Sequence, residues 1–250
     1  MKQRELIDAL EPVARAAGDA IMAIYARGVD AEFKQDGSPV TEADDAAEKI
    51  ILSALNRISP DITVISEENV ASHSLSAPDE FFLVDPLDGT KEFLKADGKG
   101  AFTVNIALVR NHVPIVGVVY APALNRMFIG CSELGATEDG NPIGIRDLPV
   151  GGAVAVASAS HRDADTDQWL LKHGITNTVS IGSSLKFCLL AAGEADVYPR
   201  FGPTMEWDTA AGDAILRAAG GKVLNPDDTP FSYGKAEYRN GPFVAYGKLL

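Results

Sequence analysis

Carboxylates from three separated segments carry the chemistry of this chain: Glu67-Glu68, then Asp85-Pro86-Leu87-Asp88-Gly89-Thr90, then Trp207-Asp208-Thr209-Ala210-Ala211. Gathered together, they would make a site for two hard divalent cations. Magnesium prefers oxygen ligands and keeps several waters, so a protein need supply only a few carboxylates and can leave positions open for a phosphate. Pro86 fixes φ and disfavours helix at Asp85, and Gly89 permits a sharp turn, so both aspartates can converge. The apolar run before them reads as a buried strand over 80–84 and the run after as a helix start over 90–94. The acids would then lie at the carboxyl end of a strand, beside free helical N–H groups suited to a phosphate. Taken singly, Asp-Pro-x-Asp-Gly is a common turn, and Glu67-Glu68 could be a solvated strand end. Asp208 could cap the helix that runs through Ala210, Ala211, Ile215, Leu216 and Ala218. Their co-occurrence in one order argues for the shared site.

The elements that must position these acids are written in the periodicity. Leu6, Ile7, Leu10, Val13, Ala14, Ala17, Ile21 and Ile24 follow helical spacing up to Gly28, a C-cap candidate. Thr41-Glu42-Ala43-Asp44 reads as a capping box opening a second helix, with Ala47, Ile50, Ile51, Ala54 and Leu55 on its apolar face. Short β-rich runs over 103–109, 113–120 and 126–130 predict an antiparallel meander. After Gly151-Gly152, strands over 153–157 and 178–181 alternate with helices over 163–173 and 183–192, an α/β pattern. The expectation is an N-terminal α+β half over 1–150 carrying most metal ligands and a C-terminal α/β half over 151–250 carrying Asp208, with the site where they meet.

A chain of 250 residues can bury a large core in one big domain or two modest ones. Its 35 acidic against 22 basic residues, net charge −13, argue against a nucleic-acid polymer as partner. Bound cations can still reverse the local sign for an anionic substrate. Cys131 and Cys188 have no metal-ligand spacing, and Cys188 lies in an apolar run that suits a packed thiol. No apolar run approaches the ~20 residues that span a bilayer, and the N-terminus leads into an amphipathic helix instead of a signal peptide. Cytoplasmic residence is the expectation, with peripheral association at the cytoplasmic face of the inner membrane left open. No phosphate loop of the Gly-x-x-x-x-Gly-Lys-Ser/Thr type, no His-Glu-x-x-His and no Gly-x-Ser-x-Gly occurs, so kinase, zinc-peptidase and serine-hydrolase readings drop out.

An early Asp44, Glu67-Glu68, Asp-Pro-Leu-Asp-Gly-Thr and Trp-Asp-Thr-Ala-Ala together resemble the lithium-sensitive, metal-dependent phosphatases of the inositol monophosphatase superfamily. Further stretches resemble its bacterial 3'(2'),5'-bisphosphate nucleotidase branch: Thr90-Lys91-Glu92-Phe93, Phe102 to Ala107, Gly182 to Cys188 and Tyr198 to Thr204. The likeness covers nearly the whole chain and implies a layered αβαβα sandwich. It implies magnesium, two or three ions per site, with inhibition by lithium. By that resemblance Glu67, Asp85 and the Leu87 carbonyl bind one ion, and Asp85, Asp88 and Asp208 a second, about 3.5 to 4 Å away. Thr90, supported by Asp44, would orient the attacking water, and Thr90, Asp44 and Glu67 form the implied catalytic set. Glu68 would stand behind Glu67, with the choice of direct ligand between the two left open.

The resemblance also assigns the substrate side. The Gly89 and Thr90 amides would hold phosphate oxygens, and Ser158, His161, Ser183, Lys186, Arg200 and Asp208 would contact the rest of the substrate. Inositol-phosphate branches tend to carry an acid at the position of Arg200, and a guanidinium there suits a second phosphate. The implied reaction is hydrolysis of 3'-phosphoadenosine 5'-phosphate to AMP and phosphate, extending to its sulfated analogue, in support of sulfate assimilation and without a phosphoenzyme. Two alternatives stay open: an inositol monophosphatase or fructose-1,6-bisphosphatase-like activity on the same fold, and a non-catalytic metal and nucleotide sensor. A homodimer is left open as well.

Overall fold

Two long amphipathic helices begin the chain and cover one face of a large sheet. The computed structural model describes residues 2–28, 32–33, 39–95, 100–158 and 163–248. The first half contains α1 (Gln3–Tyr25), β1 (Glu32–Phe33), β2 (Pro39–Val40), α2 (Glu42–Ile58), β3 (Thr63–Ser66), β4 (Glu80–Asp88) and α3 (Thr90–Lys95). It continues with β5 (Thr103–Arg110), β6 (Val113–Ala121), β7 (Arg126–Cys131), β8 (Gly135–Glu138) and β9 (Asn141–Ile143). The second half follows with β10 (Val154–Ser158), α4 (Ala164–Lys172), β11 (Asn177–Ile181), α5 (Leu185–Ala191) and β12 (Val197–Arg200). It ends with β13 (Thr204–Met205), α6 (Ala210–Ala218), β14 (Lys222–Leu224), β15 (Arg239–Asn240) and β16 (Phe243–Tyr246).

The first sheet has seven strands in the order β3-β4-β5-β6-β7-β8-β9, parallel only between β3 and β4 and an antiparallel meander thereafter. The second has five, in the order β11-β10-β12-β16-β14, with the α/β part parallel and β16 and β14 returning antiparallel. Both faces of the first sheet are buried at its central strands, and β4 shows why. Phe82 and Val84 pack with Leu10, Ala17, Ile21, Ile51 and Leu55 of the two long helices. The alternate residues Phe81 and Leu83 join Phe187, Leu190, Ala211 and Ile215 of α5 and α6. The other side of that helical layer meets Val156, Tyr198 and Ala245 of the second sheet, and Leu170 of α4 packs beyond them with Ala155, Val197 and Val244. The order of layers is therefore helix, sheet, helix, sheet, helix, as the αβαβα expectation has it.

Helix α6 lies unusually close to the first sheet because two strand positions facing it are glycine. A Cβ on Gly117 would sit 2.2 Å from the Ala211 carbonyl oxygen, and one on Gly130 2.5 Å from the Ile215 Cα. The absent side chains set the height of α6, and with it the turn bearing Asp208.

Strands β1, β2 and β12 to β16 were not expected, and the first half differs in three further places. The chain after β7 forms a further hairpin, β8–β9, turning at Asp139 and Gly140, both with positive φ. Strand β4 runs past the expected 80–84 and ends on Asp88, so both acids lie inside the strand, at its carboxyl end as expected. Helix α1 closes on Ala26, and Gly28, at φ +72°, comes two residues later with its N–H donating to the Tyr25 carbonyl at 3.3 Å.

Candidate active site

The bulge in β4 arranges the first two acids. Asp85 pairs with Asn105 and Asp88 with Thr103, so one strand spends three steps where its partner spends two. An extra residue of this kind bends a strand and re-aims its side chains. The Leu87 N–H donates to Asp85 Oδ1 at 3.0 Å and holds the bend. Glu67 follows β3, and its N–H donates to the Val84 carbonyl at 3.1 Å, so it leaves the same edge of the sheet as Asp85. Asp208 arrives from the second half, in the turn before α6. It does not cap that helix: Thr209 holds the cap position, and Asp208 Oδ2 accepts from the Met205 N–H at 2.7 Å.

One carboxylate oxygen each from Glu67, Asp85 and Asp208 lies within 4.8 Å of the others. Asp88 stands beside this trio. Its Oδ2 accepts from the Ser184 N–H at 2.6 Å, lies 2.9 Å from Ser184 Oγ, and accepts from Asn105 Nδ2 at 3.2 Å. Burial pushes the Asp85 carboxyl well above the usual range, reinforced by the charges of Glu67, Asp88 and Asp208. Asp208 is driven the same way by burial and then by Asp88 and Glu67. Like charges crowded in a buried place disfavour ionisation unless a cation joins them. This set of hard, mutually repelling oxygen donors fits a divalent metal such as magnesium.

Asp44 serves two neighbours at once. Its Oδ2 accepts from the Thr41 N–H and hydroxyl, both at 2.8 Å, completing the capping box, while Thr90 Oγ1 lies 3.4 Å from Oδ1. Burial raises the Asp44 carboxyl to about 6, with Thr41 opposing and Glu67 adding to the rise. Thr90 Oγ1 also lies 3.2 Å from the Leu87 carbonyl. Gly89, at φ +93°, turns the chain into α3 where a Cβ would come within 3.0 Å of the Ala101 carbonyl oxygen.

The same cavity, of about 560 Å³, is lined by Ser183, Lys186 and Arg200 as well as by the acids. The cations are only 5% and 8% exposed, which sets them apart from ordinary surface charges. Burial lowers the Lys186 ammonium to about 8; Asp88 opposes this and Arg200 adds to it. Lys186 Nζ donates to the Ser183 carbonyl at 2.5 Å and sits 5.4 Å from the Tyr198 ring centre. Arg200 reaches the Gly202 and Pro203 carbonyls at 3.1 and 3.0 Å, bracing the loop after β12. Carboxylate oxygens that could hold a metal and buried cations line one cavity, a combination suited to a phosphate ester carrying a second anionic group.

Residues 2–247 match the model of the inositol monophosphatase family. The chain belongs to that family. It is 45% identical, over 93% of its length and 95% of the relative's, to the 3'(2'),5'-bisphosphate nucleotidase CysQ of Escherichia coli O157:H7. Among solved structures, CysQ from Bacteroides thetaiotaomicron superposes with a TM-score of 0.81 at 38% identity, covering 99% of this chain and 98% of that one. An inositol monophosphatase from Anabaena superposes with a TM-score of 0.78 at 28% identity, over 98% and 91% of the two chains.

Of the residues expected in a site of this family, Glu67, Asp85, Leu87, Asp88, Gly89, Thr90, Ser183, Lys186, Arg200 and Asp208 all line the one cavity. Asp44 lies behind Thr90. Glu67, not Glu68, enters the acidic trio, and Glu68 acts on Asp85 only as a more remote charge. Ser158 ends β10 opposite Ile181 in the ladder, next to Gly182. The Ser158 side chain and His161 lie outside the described residues. Sequence reasoning missed Ser184 and Asn105, whose side chains meet at 2.8 Å beside Asp88. Both lie within stretches that carry the family likeness, but neither has a spacing that marks it as a partner for a metal ligand.

Proposed function

We propose that this chain is a magnesium-dependent 3'(2'),5'-bisphosphate nucleotidase. Its reaction is the hydrolysis of 3'-phosphoadenosine 5'-phosphate by water to AMP and phosphate, with the sulfated analogue as a further substrate and a role in sulfate assimilation. The observation that carries this reading is the single cavity in which the trio Glu67, Asp85 and Asp208 faces buried Lys186 and Arg200. The nucleotidase relatives support the substrate class.

In this reading Glu67, Asp85, Asp88, Asp208 and the Leu87 carbonyl hold the magnesium ions. Bound there, such ions supply positive charge to the phosphate and lower the pKa of water. The chain's own residues do the positioning on which phosphoryl transfer depends. Thr90 would orient the attacking water, its own hydroxyl held by Asp44, 3.4 Å away. The Gly89 and Thr90 amides hold oxygens of the scissile phosphate. Lys186 and Arg200 bind the second phosphate, and Ser158, His161 and Ser183 contact the nucleoside. Lithium competes for the position next to Asp88 and inhibits. A cytoplasmic setting is part of this proposal, with peripheral association at the inner membrane left open. Among the described residues, no helix is long and apolar enough to cross a membrane.

The test is phosphate release from 3'-phosphoadenosine 5'-phosphate and from inositol 1-phosphate at equal concentration, with magnesium and then with a chelator. The expected outcome is magnesium-dependent preference for the nucleotide and inhibition by millimolar lithium. Preference for the inositol ester would keep the metal chemistry and overturn the substrate. Nucleotide binding without turnover would return the chain to the sensor reading.

A further inference from the structure

The metal ligands come from two halves of the chain, and one small side chain touches both sets. Ser184 is 1% exposed, in the turn that opens α5. Its N–H and hydroxyl both approach Oδ2 of Asp88, at 2.6 and 2.9 Å, and its hydroxyl lies 2.6 Å from the Asp208 carbonyl oxygen. Asn105, fully buried on β5, donates from Nδ2 to the same Asp88 oxygen at 3.2 Å and to Ser184 Oγ at 2.8 Å. A hydroxyl carries one proton, so Ser184 donates to either Asp88 or Asp208 while Asn105 donates to it.

Local backbone geometry serves this contact. Ser183 adopts φ +53°, a conformation costly for a residue with a side chain. Gly182 before it has no room for a Cβ, which would lie 2.8 Å from the Ala101 carbonyl oxygen. The turn is thus forced tightly against β4 and the segment before β5, bringing the Ser184 amide to Asp88.

We infer that Ser184, together with Asn105, is a positioning pair for the metal centre, acting through Asp88 and Asp208. Two N–H donors, from Ser184 and Asn105, hold Oδ2 of Asp88 whichever way the Ser184 hydroxyl turns, and Oδ1 has no hydrogen-bond donor among the described residues, so one defined oxygen is left to bind metal. The contact to the Asp208 carbonyl fixes the offset between ligands from the two halves. Hydrogen-bond partners that orient metal ligands in this way typically contribute about 10- to 100-fold in metal affinity. The inference rests on the metal-binding reading of the site proposed above.

Manganese binding to the metal-free full-length protein, followed by titration calorimetry without any substrate, tests it. The set comprises wild type, Ser184→Ala, Asn105→Ala and the double variant, with unfolding midpoints measured in chelator as the structural control. Ser184→Ala is expected to weaken the site containing Asp88 by about 10- to 100-fold, with little change in the midpoint. Both residues act on one oxygen, so the double variant should lose less than the product of the single losses. Wild-type manganese affinity in folded Ser184→Ala overturns the inference. Should that variant fail to fold, wild-type affinity in Asn105→Ala overturns it equally. Absence of manganese binding to the wild-type protein would overturn the metal reading beneath it, a result distinguishable from the other two.

Discussion

The two walls of the cavity are built differently. The acidic side takes Glu67 from the end of β3, Asp85 and Asp88 from β4, a strand buried on both faces and bent by one bulge, and Asp208 from the turn before α6. The cationic wall is carried by short elements: a turn with Ser183 at positive φ, the seven-residue helix α5, and the four-residue strand β12 with its braced loop. A ladder fixes positions through many cooperating hydrogen bonds, whereas a turn can be re-shaped by a few residues. On the proposed function, the aspartates of the bulge sit where the fold tolerates little change, and the residues that would choose the substrate sit where it tolerates more. This division fits a family whose relatives include both nucleotidases and inositol monophosphatases.

The harshest way to break the comparison is at the acidic wall. Asp85→Asn keeps an Oδ1 for the Leu87 N–H but removes the charge shared by the trio. Turnover should fall by about three orders of magnitude or more, equivalent to about 4 kcal/mol of barrier. In chelator the same variant should unfold no earlier than wild type, because a buried carboxylate among like charges is costly. Magnesium-dependent phosphate release and thermal unfolding in chelator read the two effects separately. Retained turnover in the purified variant would remove Asp85 from the metal site.

The cationic wall should respond selectively. Arg200→Glu places an acid against the second phosphate and is expected to reduce kcat/KM for the bisphosphate by about 100-fold more than for a monophosphate ester, about 2.7 kcal/mol of discrimination. Part of the loss will be common to both substrates, since Arg200 also holds the Gly202 and Pro203 carbonyls. Equal losses on both would leave Arg200 as a loop brace only.

The acidic wall was also the more legible in sequence, for a physical reason. Asp85, Asp88, Glu67 and Asp208 sit beside local signals: an apolar strand run, a proline, a glycine, a helix start. The capping box at Thr41 and Asp44 is local too, and it appears in the structure as read. Ser184 and Asn105 carry no such signal, because their role depends on contacts 96 and 17 residues away in sequence from Asp88. Asp208 looks like a helix cap until the Met205 N–H claims its oxygen. The β8–β9 hairpin did leave a local mark, the Asp139-Gly140 pair suited to a tight two-residue turn.

A smaller effect should follow from shifting Asp208 against Glu67 and Asp85. Gly117→Ala would set a Cβ 2.2 Å from the Ala211 carbonyl oxygen, a backbone atom that can yield only if α6 moves. The expected cost is about 1 to 3 kcal/mol of stability, with activity falling further than Asp208-independent metal binding. Gly144→Ala, whose Cβ would lie 3.8 Å from the Ala219 carbonyl oxygen, is the control that should change neither. Denaturant melts of the two variants, with manganese titrations alongside, give the comparison.

The mildest test lies away from the cavity, where the chain crosses from one sheet to the other. Asp196 is fully covered and accepts from Arg146 at 2.9 and 2.8 Å and from the Val154 N–H at 2.7 Å, tying the connecting segment to β10. These partners outweigh burial and hold its carboxyl below the usual range. Arg146 is a third exposed, so solvent screens the pair, and Asp196→Asn should cost about 1 to 2 kcal/mol. A carboxyl lowered on folding stabilises above its unfolded pKa, and that contribution drains away as pH falls through the folded value. The wild-type advantage over Asp196→Asn should therefore be complete at neutral pH and vanish in acid, below the ordinary carboxylate range. Phosphate release at neutral pH should be unchanged, because neither residue lines the cavity. A loss of activity larger than the loss of stability would mean that this connection, and not the bulge and the two glycines alone, sets how the two walls face each other.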